Sequence, residues 1–139
     1  ENISSISKAQ IEDWKDIAGI KWLDPEKYIE NIYKQVHCVV LPSYREGMPK
    51  SLLEAAACGR AVVTTNVPGC RDAIIDGITG ILVKSQNSFE LTTAIKKLLK
   101  DPKLTNKMGV EGRKLAESKF DINKVVKKHL EIYRNLLST

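Results

Sequence analysis

The sequence predicts an α/β fold: a parallel sheet of about four strands, flanked by helices and closed by a helical C-terminal tail. Three observations carry this expectation. Short apolar segments alternate with segments of helical spacing, which implies parallel pairing through right-handed crossovers. The run Cys38-Val39-Val40-Leu41 is apolar without alternation, the pattern of a strand covered on both faces. Beyond residue 83 only helical periodicity remains.

The elements follow in chain order. Lys8 to Ala18 places Ile11, Trp14, Ile17 and Ala18 on one helical face, and Gly19 stops that helix. Gly19 to Leu23 reads as a short strand. Asp24-Pro25 opens a second helix, with Asp24 as cap and Tyr28, Ile29, Ile32, Tyr33 and Val36 on its apolar side. Cys38 to Leu41 is the next strand, ended by Pro42-Ser43. A loop from Tyr44 to Met48 leads to Pro49, which begins a helix running to about Cys58, with Gly59 as its stop. Ala61 to Thr65 is the third strand. A Pro68-Gly69 turn, a short helix near Arg71 to Ile75 and a turn at Asp76-Gly77 precede the fourth, Gly80 to Val83. Asn87 or Ser88 caps a helix carrying Leu91, Ala94, Ile95, Leu98 and Leu99. Asp101-Pro102 starts another, and Asp121 starts a last one carrying Val125, Val126, Leu130, Tyr133 and Leu137.

The 139 residues are enough for one domain with its own core. A composition of 42% hydrophobic and 28% charged residues, with mean hydropathy −0.23, excludes a disordered or fibrous chain. No apolar run approaches the ~20 residues of a membrane-spanning helix. The first five residues lack the basic-then-apolar order of a signal peptide. Cys38, Cys58 and Cys70 form no Cys-x-x-Cys pair, so free thiols in a reducing, cytoplasmic setting are expected rather than a zinc site or disulfide framework. The net charge of +5 is uneven: residues 1–83 hold 9 Lys/Arg against 11 Asp/Glu, and residues 84–139 hold 13 against 6. The basic tail suits an anionic lipid surface and peripheral membrane contact, or else it is a solvated helix face. No finger, aromatic string or Arg-rich arm points to nucleic acid.

The stretch richest in chemistry runs from Leu41 to Glu54. Glu46 lies in the loop, and Glu54, eight positions on, lies inside the following helix. Between them are Gly47, where no Cβ blocks a ligand, and a helix N-terminus, where free N–H groups and the helix dipole favour anions. Ionised carboxylates only accept, so each can hold a pair of hydroxyls. A ligand with hydroxyl-rich ends and an anionic middle fits, and a nucleotide-sugar has that layout. On spacing alone the plainer reading prevails, an exposed helix acid and an ordinary loop acid.

The wider string changes the balance. Leu41-Pro42-Ser43, Glu46-Gly47, Leu52-Leu53-Glu54-Ala55, Cys58-Gly59 and Ala61-Val62-Val63 resemble the donor-binding domain of retaining GT-B glycosyltransferases, specifically glycosyltransferase family 4. Val67-Pro68-Gly69-Cys70-Arg71-Asp72 and Asp76-Gly77-Ile78-Thr79-Gly80-Ile81-Leu82-Val83 extend the likeness, which covers about residues 8–137. The resemblance implies a Rossmann-like domain within a two-domain architecture. It implies that Glu46 holds hydroxyls of the donor sugar at the reacting centre and Glu54 the ribose 2′- and 3′-hydroxyls. Backbone amides from Gly47 through Met48 and Pro49 to Lys50 would meet sugar and phosphates, and Ser51 would add its hydroxyl. Many relatives carry Gly-Phe-Gly where this chain has Gly47-Met48-Pro49, and Pro49 has no N–H to donate. Lys50 then reads as a phosphate partner, a specificity residue or a solvated side chain.

The resemblance further implies transfer from a nucleotide-sugar, UDP ahead of GDP, with retention and without cofactor or metal, to a saccharide or lipid-linked acceptor of bacterial surface polysaccharide or glycolipid assembly. The family's basic pyrophosphate loop and its acceptor domain match nothing here. The chain is therefore expected to be a donor-binding fragment that does not transfer sugar alone. A nucleotide-sugar epimerase and a non-catalytic α/β interaction module are the competing readings. His37, His129, Trp14, Trp22 and Cys58 read as structural residues, and Gly69 to Asp72 either borders the pocket or only turns the chain.

Overall fold

The computed structural model describes residues 6–23, 25 and 27–137. Its elements are α1 (Lys8–Lys15), α2 (Ile29–Tyr33), β1 (Cys38–Leu41), α3 (Lys50–Ala57), β2 (Ala61–Thr65), α4 (Cys70–Ala73), β3 (Gly80–Val83), α5 (Ser88–Lys100), α6 (Pro102–Lys119) and α7 (Ile122–Leu137). The three strands form one parallel sheet in the order β1-β2-β3. Val39 pairs with Val62, and Val62 with Gly80. Every residue of central β2 is buried, as an apolar parallel strand between two helical layers requires.

Successive side chains of a strand point to opposite faces, and the core divides accordingly. On one face Val39, Leu41, Val62 and Leu82 pack with Tyr33, with Leu52 and Ala55 of α3, and with Cys70 and Ala73 of α4. On the other, Val40, Ala61, Val63, Ile81 and Val83 pack with Ala94 and Leu98 of α5 and Met108 of α6. The result is a three-layer α/β/α unit.

Helix α6 crosses the N-terminal ends of the strands and joins the two layers. A Cβ on Gly109 would lie 2.1 Å from the Gly59 carbonyl oxygen, so backbone rests on backbone there. The Arg113 guanidinium donates to the Ala57 carbonyl at the end of α3. On the α5 side, the Thr105 hydroxyl donates to the Leu98 carbonyl (2.6 Å). Local capping follows the sequence: Asn87 accepts from the Glu90 N–H (3.0 Å) and Asp101 from the Leu104 N–H (3.0 Å). Asp121 accepts from the Asn123 N–H (2.8 Å).

The structure corrects four expectations. The sheet has three strands, not about four, because 20–23 has no strand partner among the described residues. A strand exists only through its ladder, and here Ile20, Trp22 and Leu23 stay about half exposed. Trp22 is therefore no core residue. The second helix is confined to Ile29–Tyr33, since Pro25 and Tyr28 are exposed and give an earlier turn nothing to pack on. The Asp24 cap lies outside the described residues. The first helix ends at Lys15, and Ile17 and Ala18 lie beyond it in exposed turns. Helix α7 carries the expected apolar face, and none of its residues is buried. The three cysteines are free thiols, and burial pushes that of Cys38 up, which keeps it protonated.

The α6 crossing gives a paired prediction. Gly109→Ala forces a methyl into the Gly59 carbonyl and lowers stability by about 1–3 kcal/mol. Gly112→Ala meets only ordinary contacts near 3.7 Å and gains helix propensity, so it is neutral or stabilising. Thermal unfolding of the two variants distinguishes them.

Candidate functional site

In parallel sheets ligands gather beyond the C-terminal strand ends. At that end β1 passes into the loop of residues 42–49, which runs directly into α3. The loop is tied down from β2. The Thr64 hydroxyl donates to the Leu41 carbonyl (2.7 Å), and the Thr65 hydroxyl donates to the Ser43 carbonyl. Ser43 in turn donates its hydroxyl to Glu46 Oε1 at 2.7 Å. The Glu46 carboxylate is half-buried and oriented through that one oxygen.

A second support comes from the turn after β2. Gly69 has φ +78°, and a Cβ there would lie 1.7 Å from the Gly47 carbonyl oxygen and 2.7 Å from that of Glu46. Only glycine permits both the backbone angle and the contact. Arg71 holds the same turn by donating Nε to Asn66 Oδ1 (2.6 Å). The turn thus braces the loop under Glu46 and Gly47, so Gly69 borders the site.

Gly47 differs from Gly69. A Cβ at Gly47 would meet nothing within 4 Å, and its φ is not left-handed. The fold does not require glycine at this position. Met48 and Lys50 are exposed, Ser51 is half-buried, and Pro49 is buried as the first turn's anchor. Pro49 occupies the cap position of α3 with no capping side chain, and no acid lies in the first turn. The start of α3 therefore faces outward as a donor-rich, electropositive end.

Glu54 lies about one turn into α3 and is exposed. Tyr33 sits buried nearby; burial, then the charge of Glu54 and that of Cys58, push its hydroxyl pKa up. Glu54 lines a groove of about 360 Å³ with Leu53, Ala57, Arg113, Glu117 and Phe120. A second hollow, of about 390 Å³, lies beyond the strand ends between Pro42, Tyr44, Thr65, Val83 and Lys84. Neither hollow contains Glu46. Glu46, Gly47, Met48, Pro49, Lys50 and Ser51 converge at the start of α3, while Glu54 faces a groove along its flank. No three His, Cys, Asp or Glu side chains gather as a metal-holding group among the described residues.

Ser43 and Thr65 escape sequence reasoning, because a hydroxyl at a strand end carries no sign of which carbonyl or carboxylate it will meet. The sequence leaves Gly69 either bordering the pocket or only turning the chain, and its contact with the Gly47 carbonyl decides between them. Gly69→Ala should displace the 43–48 loop, with a strain cost of about 1–3 kcal/mol. Faster hydrogen exchange in that loop, with the α5 and α6 amides unchanged, is the expected readout.

Residues 7–115 match the family of glycosyl transferases group 1. The N,N'-diacetylbacillosaminyl-diphospho-undecaprenol alpha-1,3-N-acetylgalactosaminyltransferase of Campylobacter jejuni is 32% identical over 119 residues, 86% of this chain and 31% of that protein. Among solved structures, sucrose-phosphate synthase from Thermosynechococcus elongatus superposes with a TM-score of 0.78 at 31% identity, over 80% of this chain and 28% of that one. Anabaena HepE in complex with UDP superposes with a TM-score of 0.68 at 25% identity, over 78% and 29%. The chain spans about a third or less of the length of each of these proteins. Its parallel sheet, helical layers and C-terminal helix are those of GT-B glycosyltransferases. The family match over most of the chain, and the relatives that agree with it, make this protein a member of the group 1 glycosyltransferases.

Proposed function

We propose that this chain is the donor-binding part of a retaining family 4 glycosyltransferase that draws its sugar from a UDP-sugar. The observation that carries the reading is Gly47: a glycine the fold does not need, placed between an oriented carboxylate and an uncapped helix start. A residue without a side chain at an open position is explained by a ligand that approaches the backbone. The UDP in the HepE complex supports the choice of nucleotide.

In this reading Glu46 accepts hydroxyls of the donor sugar, held in place by Ser43 and the turn at Gly69. Glu54 accepts the ribose 2′- and 3′-hydroxyls. The diphosphate lies against the start of α3, where the Lys50 and Ser51 amides and the Lys50 ammonium offset its charge. Departure of the diphosphate is the step that develops negative charge, so a donor-rich end fixed before reaction lowers its barrier. The glutamates flank a ligand along a loop and a helix rather than facing each other across one bond, as a glycosidase pair does. The rest of the enzyme supplies the acceptor side and the basic pyrophosphate contacts. A lipid-linked or polysaccharide acceptor of bacterial surface assembly fits the name of the Campylobacter relative.

Calorimetric titration with UDP, UDP-glucose and GDP tests the assignment. Glu54→Ala should weaken UDP binding about 10- to 100-fold, the scale of hydrogen bonds to a charged acceptor. Glu46→Ala should leave UDP unchanged and remove the additional affinity for UDP-glucose. Unaltered UDP affinity in Glu54→Ala would sink the ribose role. Sugar transfer by the 139-residue chain alone would sink the division of labour.

A further inference from the structure

We propose that Thr65, a buried threonine at the end of β2, is a positioning residue for the transfer reaction and acts on Glu46 through Ser43. The inference rests on the reading of Glu46 as the carboxylate that receives the donor sugar. Thr65 is 3% exposed, so it touches no ligand itself, and its influence passes through its bonds. The Thr65 hydroxyl donates to the Ser43 carbonyl, and the Ser43 hydroxyl donates to Glu46 Oε1 at 2.7 Å. Two hydrogen bonds in series thus join a residue of the sheet to the carboxylate.

One end of this relay is fixed. Thr65 faces Val83 in the β2–β3 ladder, and its carbonyl accepts from the Val67 N–H (2.9 Å). With its backbone held on both sides, the hydroxyl is a reference point set by the sheet. Packing does not fix the other end. Ser43 is half-buried, and Tyr44 and Arg45, which separate it from Glu46, are exposed. A glutamate on irregular chain has three side-chain torsions and several ways to present its oxygens. The Ser43 bond selects among them. Among the described residues no other hydrogen bond or ion pair reaches the carboxylate, so Oε2 is left to accept a hydroxyl. An oxygen already ordered in the folded protein loses little freedom when the ligand arrives.

Thr64 supplies the contrast. It is fully buried, and its hydroxyl donates to the Leu41 carbonyl at 2.7 Å. Leu41 already faces Thr64 in the β1–β2 ladder, so that bond reinforces the sheet and ends there. The two threonines offer the same chemistry to the same neighbouring chain. Only the hydroxyl of Thr65 reaches past the sheet, to the residue whose own hydroxyl lies on the carboxylate.

Calorimetric titration of the full-length gene product with UDP, UDP-glucose, UDP-N-acetylglucosamine and UDP-N-acetylgalactosamine tests the relay. The quantity read is the extra affinity that the best of these sugars adds over UDP. Thr65→Val removes the hydroxyl and should lower that increment about 2- to 10-fold. Ser43→Ala should lower it about tenfold or more, since its bond is to a charged acceptor. It changes a half-buried loop residue, and so carries the same test without touching the sheet. Thr65→Ser, which keeps a hydroxyl, should retain the increment. Thr64→Val should lose about as much thermal stability as Thr65→Val but keep the whole increment. UDP affinity should be the same in every variant. An increment unchanged in Ser43→Ala and Thr65→Val, or lowered as far by Thr64→Val, would overturn the positioning role and leave the donor-site reading standing. An increment that survives Glu46→Ala, or that none of the sugars provides, would overturn the donor-site reading and this inference with it.

Discussion

The fold is organised by the complete burial of β2. A strand covered on both faces and paired on both edges has no freedom of register, and both neighbours inherit theirs from it. Its last two residues are threonines, not valines. With the ladder occupying their backbone groups, the two hydroxyls are spent on carbonyls of β1 and of the loop that follows it. The most rigid strand of the domain therefore extends its order past the end of the sheet, into the segment that carries Glu46.

The two glutamates acquire their positions in different ways. Glu46 is on irregular chain and depends on tethers: a serine hydroxyl on its carboxylate and a glycine turn beneath its backbone. Glu54 needs none, because α3 is fixed by Leu52, Ala55 and Ala56, all buried. A loop residue can contact a small, changing group closely, while a helix residue offers a constant reference point. That contrast suits a site in which one end of the ligand reacts and the other is only held.

Much of this architecture was legible in the sequence. The unbroken apolar run at Cys38–Leu41, the caps at Asn87 and Asp101, and the glycine stop after α3 depend on local chemistry, and they appear where that chemistry places them. The failures share a physical cause. Residues 20–23 have strand composition, but pairing is a tertiary property that composition does not contain. The second helix was overextended because a proline after an aspartate looks like a start even where no surface waits to receive the first turn. At the site, Glu46 and Glu54 are singled out by the family resemblance and not by spacing alone, whereas Ser43 and Thr65 matter through a bond between distant parts of the chain. The bracing role of Gly69 was out of reach for the same reason: a close approach is invisible until the second backbone is in place.

The crossing of α6 beneath the strands separates two kinds of evolutionary freedom. Its contact with Gly59 and its bond to the end of α3 secure the domain at the N-terminal ends of the strands, the edge opposite the loop that carries Glu46. Substitutions among Tyr44, Met48, Lys50 and Lys84, all exposed at the opposite edge, leave that clamp untouched. Such a division allows the loop side chains to change with little risk of losing the folded state. The loop side chains of this chain are thereby free to vary over a fixed base, and the bare backbone of Gly109 is one of the contacts that keeps the base fixed.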